Sequence, residues 1–211
     1  RMHLCKLCEK RRPRRFCPGV GGDICPRCCG EEREVTVNCP FDCSYLQEAR
    51  RFEKLPDLDP EEIPHKDIRL PESFLREQED LFGLLGGLLV QAAAQTHGVV
   101  DTDAAEALDA MVRTYRTKQT GLYYETRPNN TLAAAVQQRM NTGLAEVQRR
   151  IAEHPGLHMP RDKDILGVLV FLRRLAAEYT NGRRLGRRFL HLLHGFGAVP
   201  AEGSGHAIVA P

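Results

Sequence analysis

The residues able to do chemistry stand at the front of the chain, where all eight cysteines lie between Cys5 and Cys43. They run as Cys5-x2-Cys8, a lone Cys17, Cys25-x2-Cys28 with Cys29 adjacent, and Cys39-x3-Cys43. A thiolate is a soft, strong zinc ligand, and four of them close a tetrahedral site, so the set suffices for two zinc ions. A saturated all-thiolate site leaves no position for water or substrate, so both sites are expected to be structural. Each Cys-x2-Cys pair can wrap a metal through a tight turn, and Cys5-x2-Cys8-x16-Cys25-x2-Cys28 falls within a zinc spacing. Cys17, Cys29, Cys39 and Cys43 then form a second, interleaved tetrad. The sequential alternative puts Cys5, Cys8, Cys17 and Cys25 on one metal and Cys28, Cys29, Cys39 and Cys43 on the other. Adjacent side chains point apart, so dividing Cys28 and Cys29 between two metals strains the backbone less, which favours interleaving. Iron–sulfur is the rival cofactor, because Cys17-Pro18, Cys25-Pro26 and Cys39-Pro40 carry the ferredoxin-like Cys-Pro pair. The compact three-cysteine run that wraps a four-iron cluster is missing. A thioredoxin-like redox role lacks its βαβ context.

The last cysteine pair adds local structure. Glu34-Val35-Thr36-Val37 reads as a short strand. Cys39-Pro40-Phe41-Asp42-Cys43 reads as ligands at i and i+4 opening a helix that continues over Ser44–Phe52. Knuckle, strand and ligand-bearing helix together resemble the treble-clef zinc fingers. The interleaved tetrads resemble the cross-brace fingers of the RING, B-box and MYND kinds. The resemblance is at the level of fold and covers residues 1–52; it implies a two-zinc interaction module. Those fingers commonly include histidine ligands, and the all-cysteine set here departs from that. The helical region that follows resembles no family.

The elements that must carry this module follow from the rest of the pattern. Residues 53–71 read as a strap, with Pro56, Pro60, Pro64 and Pro71 between acidic residues. Proline at that density forbids a helix and predicts an extended path. From Pro71 onward the apolar spacing is helical. A first helix over Phe74, Leu81, Leu85, Leu88 and Ala92 is stopped by Gly98; close approach of a neighbour is the expected use of Gly83, Gly86 and Gly87. A second carries Leu108, Met111, Val112 and Tyr115, with Asp103-x-x-Glu106 as its capping box and Gly121 at its end. A third is capped at Asn130 or Thr131 and carries Leu132, Val136, Met140, Leu144, Val147 and Ile151. A fourth runs from Asp162 to Tyr179 with Asn181-Gly182 as its stop, and a short fifth carries Leu185, Phe189 and Leu192. Amphipathic helices of this length bury one core together. The expected fold is mainly α: a small two-zinc module (1–52), the strap (53–71), a bundle of four to five helices (72–195) and a frayed tail (196–211).

Net charge is only +2 and charged residues make up 27%, so no global field points to a polyanion. Local charge does. Lys10, Arg11, Arg12, Arg14 and Arg15 form a basic run that a rigid zinc scaffold could present to phosphates. Arg173, Arg174, Arg183, Arg184, Arg187 and Arg188 form a late set; Arg183–Arg187 and Arg184–Arg188 are expected on adjacent tracks of the last helix, as a partner-binding or a solvated face. Neither cluster is read as interleaved with aromatic residues. The strap acids Asp57, Asp59, Glu61 and Glu62 could fold back on the basic surface and mask it. The loop Tyr123–Arg127 could bind a ligand, but its tyrosines are expected to lid the core. His154, His158, His191 and His194 are read as surface or core residues.

No phosphate-cradling glycine loop, serine elbow or His-Glu-x-x-His motif is present. The expected function is a non-catalytic interaction protein, with nucleic acid the first partner and a protein–protein adaptor role the alternative. An enzyme with its site in the bundle near Tyr123–Arg127 is the third reading. No apolar run long enough to cross a membrane occurs. Nor is a secretory pattern read at the front, so an intracellular location, cytoplasmic or nucleoid/nuclear, is expected.

Overall fold

The structure is a computed structural model that describes residues 3–197; the tail assigned past Gly197 lies outside the described residues. The elements are β1 (Arg15–Cys17), β2 (Gly22–Ile24), α1 (Pro26–Glu32), α2 (Ser44–Phe52), α3 (Phe74–Glu77), α4 (Glu79–Ala94), α5 (Asp101–Gln119), α6 (Thr131–Ala152), α7 (Asp162–Tyr179) and α8 (Arg188–Gly197). The protein is mainly helical, with a small cysteine-rich module at its N-terminal end.

The five long helices share one core. Leu85 and Leu89 of α4, Leu108 and Met111 of α5, Met140 of α6, Leu169 and Leu172 of α7 and Phe189 of α8 are fully buried in it. Each such side chain contributes about 1.5–3 kcal/mol through its removal from water. α5 packs most extensively on α7. Asn130 caps α6 by accepting from Leu132 N and Ala133 N, and its side-chain amide donates to Asp103 at the start of α5. Lys118 at the end of α5 pairs with Asp162 at the start of α7 at 2.9 Å. These contacts make α6 parallel to α5 and α7 antiparallel to it.

Parallel neighbours force the chain to retrace α5 before α6 begins. A 19-residue helix is about 28 Å long, and the ten residues of Gly121–Asn130 reach at most about 36 Å. The segment is therefore taut. It runs back along α5 through Thr117 Oγ1 donating to Tyr124 O (3.2 Å) and Thr126 N donating to Thr114 Oγ1 (3.0 Å). Gln137 of α6 fixes it from the other side through Thr126 O.

Several local expectations are corrected. The first bundle helix is broken at Gln78 (φ −115°, ψ 26°) into α3 and α4. Asp103 is not the N-cap of α5: the helix starts two residues earlier, and Asp103 accepts from Val100 N at 2.9 Å. A Cβ on Gly83 or Gly87 would meet nothing, and only Gly86 faces a neighbour, Leu193 of α8. The close approaches fall instead on Gly167 of α7, beneath the Phe74 ring, and on Gly143 of α6, beneath Leu88.

The strap lies along the bundle. Arg174 donates to the carbonyls of Pro64, His65 and Ile68, and Arg116 grips Asp67 through both carboxylate oxygens at 2.7 Å. Asp109 holds His65 at 2.8 Å and Arg173 at 2.9 Å. Asp59 caps the 3-10 turn Pro60–Glu62, and Glu61 pairs with Lys66. Among the described residues, no hydrogen bond or ion pair joins the strap acids to the basic run at Lys10–Arg15.

Candidate metal centre

The first centre is assembled by a knuckle, a hairpin and a helix start. Cys5 N donates to Arg11 O and Glu9 N to Cys5 O, both at 2.8 Å, closing the loop that carries Cys8. Glu9 takes the left-handed conformation (φ 52°) that this reversal requires. Lys6 N donates to Asp23 O, which sews the loop onto β2. β1 and β2 pair antiparallel, with Arg15 opposite Ile24 and Cys17 opposite Gly22. β2 delivers Cys25 as the N-cap of α1, where its sulfur accepts from Cys28 N and Pro26 occupies the first helical turn.

The result brings the sulfurs of Cys5, Cys8, Cys25 and Cys28 within 4.8 Å of one another. This is the tetrad that the interleaved wiring requires. The sequential wiring would need Cys17 in place of Cys28. Four ligands about 2.3 Å from one zinc stand roughly 3.8 Å apart, so the sulfurs need only a small contraction to coordinate one ion. All eight cysteines are free thiols.

The electrostatics of the group suit a cation. Burial alone would raise the Cys5 thiol, but the N–H groups of Cys8, Cys25 and Leu7 outweigh it and bring the pKa down to about 6. Cys28 is pushed up to about 12, first by burial and then by its neighbouring thiols. Four sulfurs so close, three of them buried, therefore do not all ionise unaided; a bound ion would supply the missing charge.

The remaining cysteines are less closely gathered. Cys17, Cys39 and Cys43 pack with Val37 and Leu46 in a second small cluster. Burial raises the Cys39 thiol against an opposing hydrogen bond from the Glu34 backbone, and the charges of Glu34, Cys17 and Cys43 add to the rise. The Cys29 sulfur lies against the guanidinium groups of Arg15 (3.5 Å) and Arg33 (3.7 Å). Cys39 and Cys43 do not share a helix face: α2 begins at Ser44 with Cys43 as its N-cap, and Cys43 N donates to Pro40 O in the turn before it. Glu34–Val37 is a tight reversal rather than a strand, because the N–H groups of Val35, Thr36 and Val37 all turn onto Glu32 O. Glu34 has φ 53°.

The two arginine sets separate sharply. Lys10, Arg11, Arg12 and Arg14 are exposed, on a segment tied at both ends by Cys5 N to Arg11 O and Arg14 N to Ile24 O. Arg11 is held beside the Cys25 sulfur, which raises its pKa. Arg15 points the other way, 4.3 Å above the Tyr45 ring. In the late set, Arg183 donates to Gly30 O and Arg33 O, Arg187 to Cys39 O, and Arg188 pairs with Glu53 at 3.5 Å. Arg184 alone of these four is exposed. The expected helical tracks Arg183–Arg187 and Arg184–Arg188 do not form, since α8 begins at Arg188 and Asn181 caps a turn at Arg183 N.

Those inward arginines belong to a buried joint that local sequence did not reveal. The Glu34 carboxylate is 1% exposed and accepts from Arg50 Nη2 (2.7 Å), Asn181 Nδ2 (2.9 Å) and Arg187 N (3.2 Å). Phe41 stacks on His191 at 5.0 Å beneath Arg187. Asp101 accepts from Phe189 N and Leu190 N at the start of α8.

Tyr123 and Tyr124 are 74% and 69% exposed, so they do not lid the core; the taut return along α5 leaves them facing solvent. Glu125 pairs with Arg127 at 3.0 Å. The neighbouring groove of about 460 Å³, lined by Glu106, Asp109, Arg113, Arg127 and Asn130 among others, contains no histidine among the described residues. His154 bonds its own helix at Arg150 O. Among the described residues, no helix is long and apolar enough to cross a membrane.

One surface residue was missed. Phe16, in the middle of β1, is 62% exposed. The stretch Arg14-Arg15-Phe16-Cys17 does not alternate and the strand is only three residues long, so the sequence carried no periodic signal for it.

Fold and centre together define a mainly helical protein with a cysteine-centred module at its N-terminal end. No known protein family matches the chain, and the comparisons found no curated protein or solved structure similar to it.

Proposed function

We propose that this is a non-catalytic zinc-binding interaction protein whose metal-held module binds nucleic acid. The observation that carries the reading is the division of the arginines. Lys10, Arg11, Arg12 and Arg14 remain exposed on a segment clipped to the cysteine tetrad, whereas Arg183, Arg187 and Arg188 are spent on internal contacts. Several cations on a short rigid loop neutralise phosphates at little entropic cost.

Zinc suits the first tetrad better than an iron–sulfur cluster does. Four sulfurs this close leave room for one ion, whereas a cluster interposes several iron and sulfide atoms between its thiolates. A second zinc would be held by Cys17, Cys39 and Cys43, which already share a cluster, with Cys29 released from its two arginines as fourth ligand. This arrangement resembles a cross-brace finger. When bound, the ions would supply cohesion to a module too small to bury an adequate core.

The test is equilibrium binding to nucleic acid across a salt series, with elemental analysis of the same preparation. Two zinc ions per chain and an affinity that falls steeply with salt are expected. Lys10→Gln, Arg12→Gln and Arg14→Gln together should flatten the salt slope and remove most binding; these three are chosen because Arg11 and Arg15 also touch cysteine sulfur. Salt-insensitive binding, or full affinity in the triple variant, would refute the reading. A protein partner is the second reading, favoured by the exposed run Leu122-Tyr123-Tyr124.

A further inference from the structure

We propose that Phe16 is a stacking platform for an unpaired base, and that the module selects single-stranded over duplex nucleic acid. The inference rests on the basic run binding nucleic acid and adds the form of strand it takes.

The hairpin itself makes the argument. Phe16 pairs opposite Asp23, and its ring projects from the face opposite to Arg15 and Cys17. On that inner face Arg15 covers Tyr45 and touches Cys29. Arg14 N donates to Ile24 O, the residue already paired with Arg15, so Arg14 and Arg15 both stand opposite Ile24 and the regular ladder ends in a bulge-like step. Pro13 disfavours a helical turn at Arg12, and Arg12 and Arg14 are both exposed on the segment that leads into this step. Two exposed guanidinium groups thus precede the exposed Phe16 ring on one short segment. The Phe16 ring is 62% exposed, so it is open to a stacking partner.

Beside the ring is a hollow lined by His3, Leu4, Lys6, Glu9 and Asp23. Asp23 stands 3.8 Å from His3 and Lys6 is turned onto the Val20 and Gly21 carbonyls, which leaves carboxylate oxygens of Glu9 and Asp23 to accept hydrogen bonds from the exocyclic amino group of a base. The face is therefore polarised: guanidinium groups for the backbone at one end, and an aromatic ring with edge-reading carboxylates at the other. Every base offers a flat face to such a ring once it is unstacked. In a duplex both faces are already occupied by neighbouring pairs, and Phe16 would gain nothing.

Fluorescence anisotropy on the full zinc-loaded chain tests this, using labelled oligo(dC), oligo(rC) and a blunt dG·dC duplex of equal length at one ionic strength. Both single strands should bind more tightly than the duplex. Phe16→Ala should weaken single-strand binding about tenfold, the loss of one stacked base, with an unchanged salt slope and unchanged zinc content. Phe16→Trp should restore it. Arg12→Gln with Arg14→Gln should instead lower the slope by about 1.4. Phe16→Ala within about twofold of the parent, or duplex bound as tightly as single strand, would overturn the inference while leaving nucleic-acid binding intact. Binding to none of the three would overturn both.

Discussion

Replacing Glu34 with glutamine strikes the joint between the cysteine module and the bundle at its most buried point. The parent carboxylate accepts from Arg50, Asn181 and the backbone of Arg187, and all three are donors. Glutamine keeps one acceptor but turns the other position into a donor, so at least one donor meets another. The Arg50 side chain, 4% exposed, also loses its counter-charge. A lost neutral hydrogen bond costs only about 1 kcal/mol, whereas stranding one member of a buried ion pair costs about 3–5 kcal/mol. The larger figure should govern here, and it is about a fifth or more of the stability of a typical domain. Urea unfolding of the zinc-loaded protein, followed by circular dichroism, measures it. Arg50→Met offers the control, because Nε and Nη1 of Arg50 have no partner in the joint and its removal relieves part of their desolvation. Glu34→Gln combined with Arg50→Met should therefore be more stable than Glu34→Gln alone. A single variant within about 0.5 kcal/mol of the parent, or a double variant less stable than the single, would refute the assignment of Glu34 as the centre of this joint.

Two further outcomes follow from packing and from titration. Gly167→Ala drives a methyl group into the Phe74 ring and should cost about 1–3 kcal/mol, whereas Gly83→Ala, facing open space, should gain about 1 kcal/mol; thermal melts of the two variants should shift in opposite directions. Burial raises Asp101 to about 6 against the N–H groups of Phe189 and Leu190. Its folded pKa lies above the unfolded value near 4, so its contribution is fully present below that and is lost as pH rises through about 6, roughly 3 kcal/mol in all. Asp101→Asn should abolish that slope in the variant, so the parent's stability minus the variant's should fall by roughly 3 kcal/mol as pH rises from about 4 to about 7; a constant difference would contradict it.

Where local rules act alone, the sequence was readable. α7 has the bounds its periodicity gave, Asp162–Tyr179, and Asn130 caps α6 as its side-chain chemistry requires. The first cysteine tetrad was legible because Cys-x2-Cys dictates its own turn. What escaped was decided by contacts between distant segments. The Pro40 turn overrides the helical spacing of Cys39 and Cys43. Arg183 and Arg187 look like a solvated face until carbonyls from the cysteine module are brought beside them. The strands of β1 and β2 are too short to show a period, so Phe16 had no visible partner until the hairpin closed.

The buried clasp has a practical corollary for anyone dividing the molecule. Severing the strap would leave Asn181, Arg183 and Arg187 on one fragment and their acceptors Glu34, Arg33 and Cys39 on the other. The helical piece would show water the seat of Phe41 against His191, and the sulfur-rich piece would keep the Glu34 carboxylate with Arg50 but without Asn181 and the Arg187 backbone. Each half would be sticky and short-lived in solution, so this polypeptide is best expressed, studied and engineered whole.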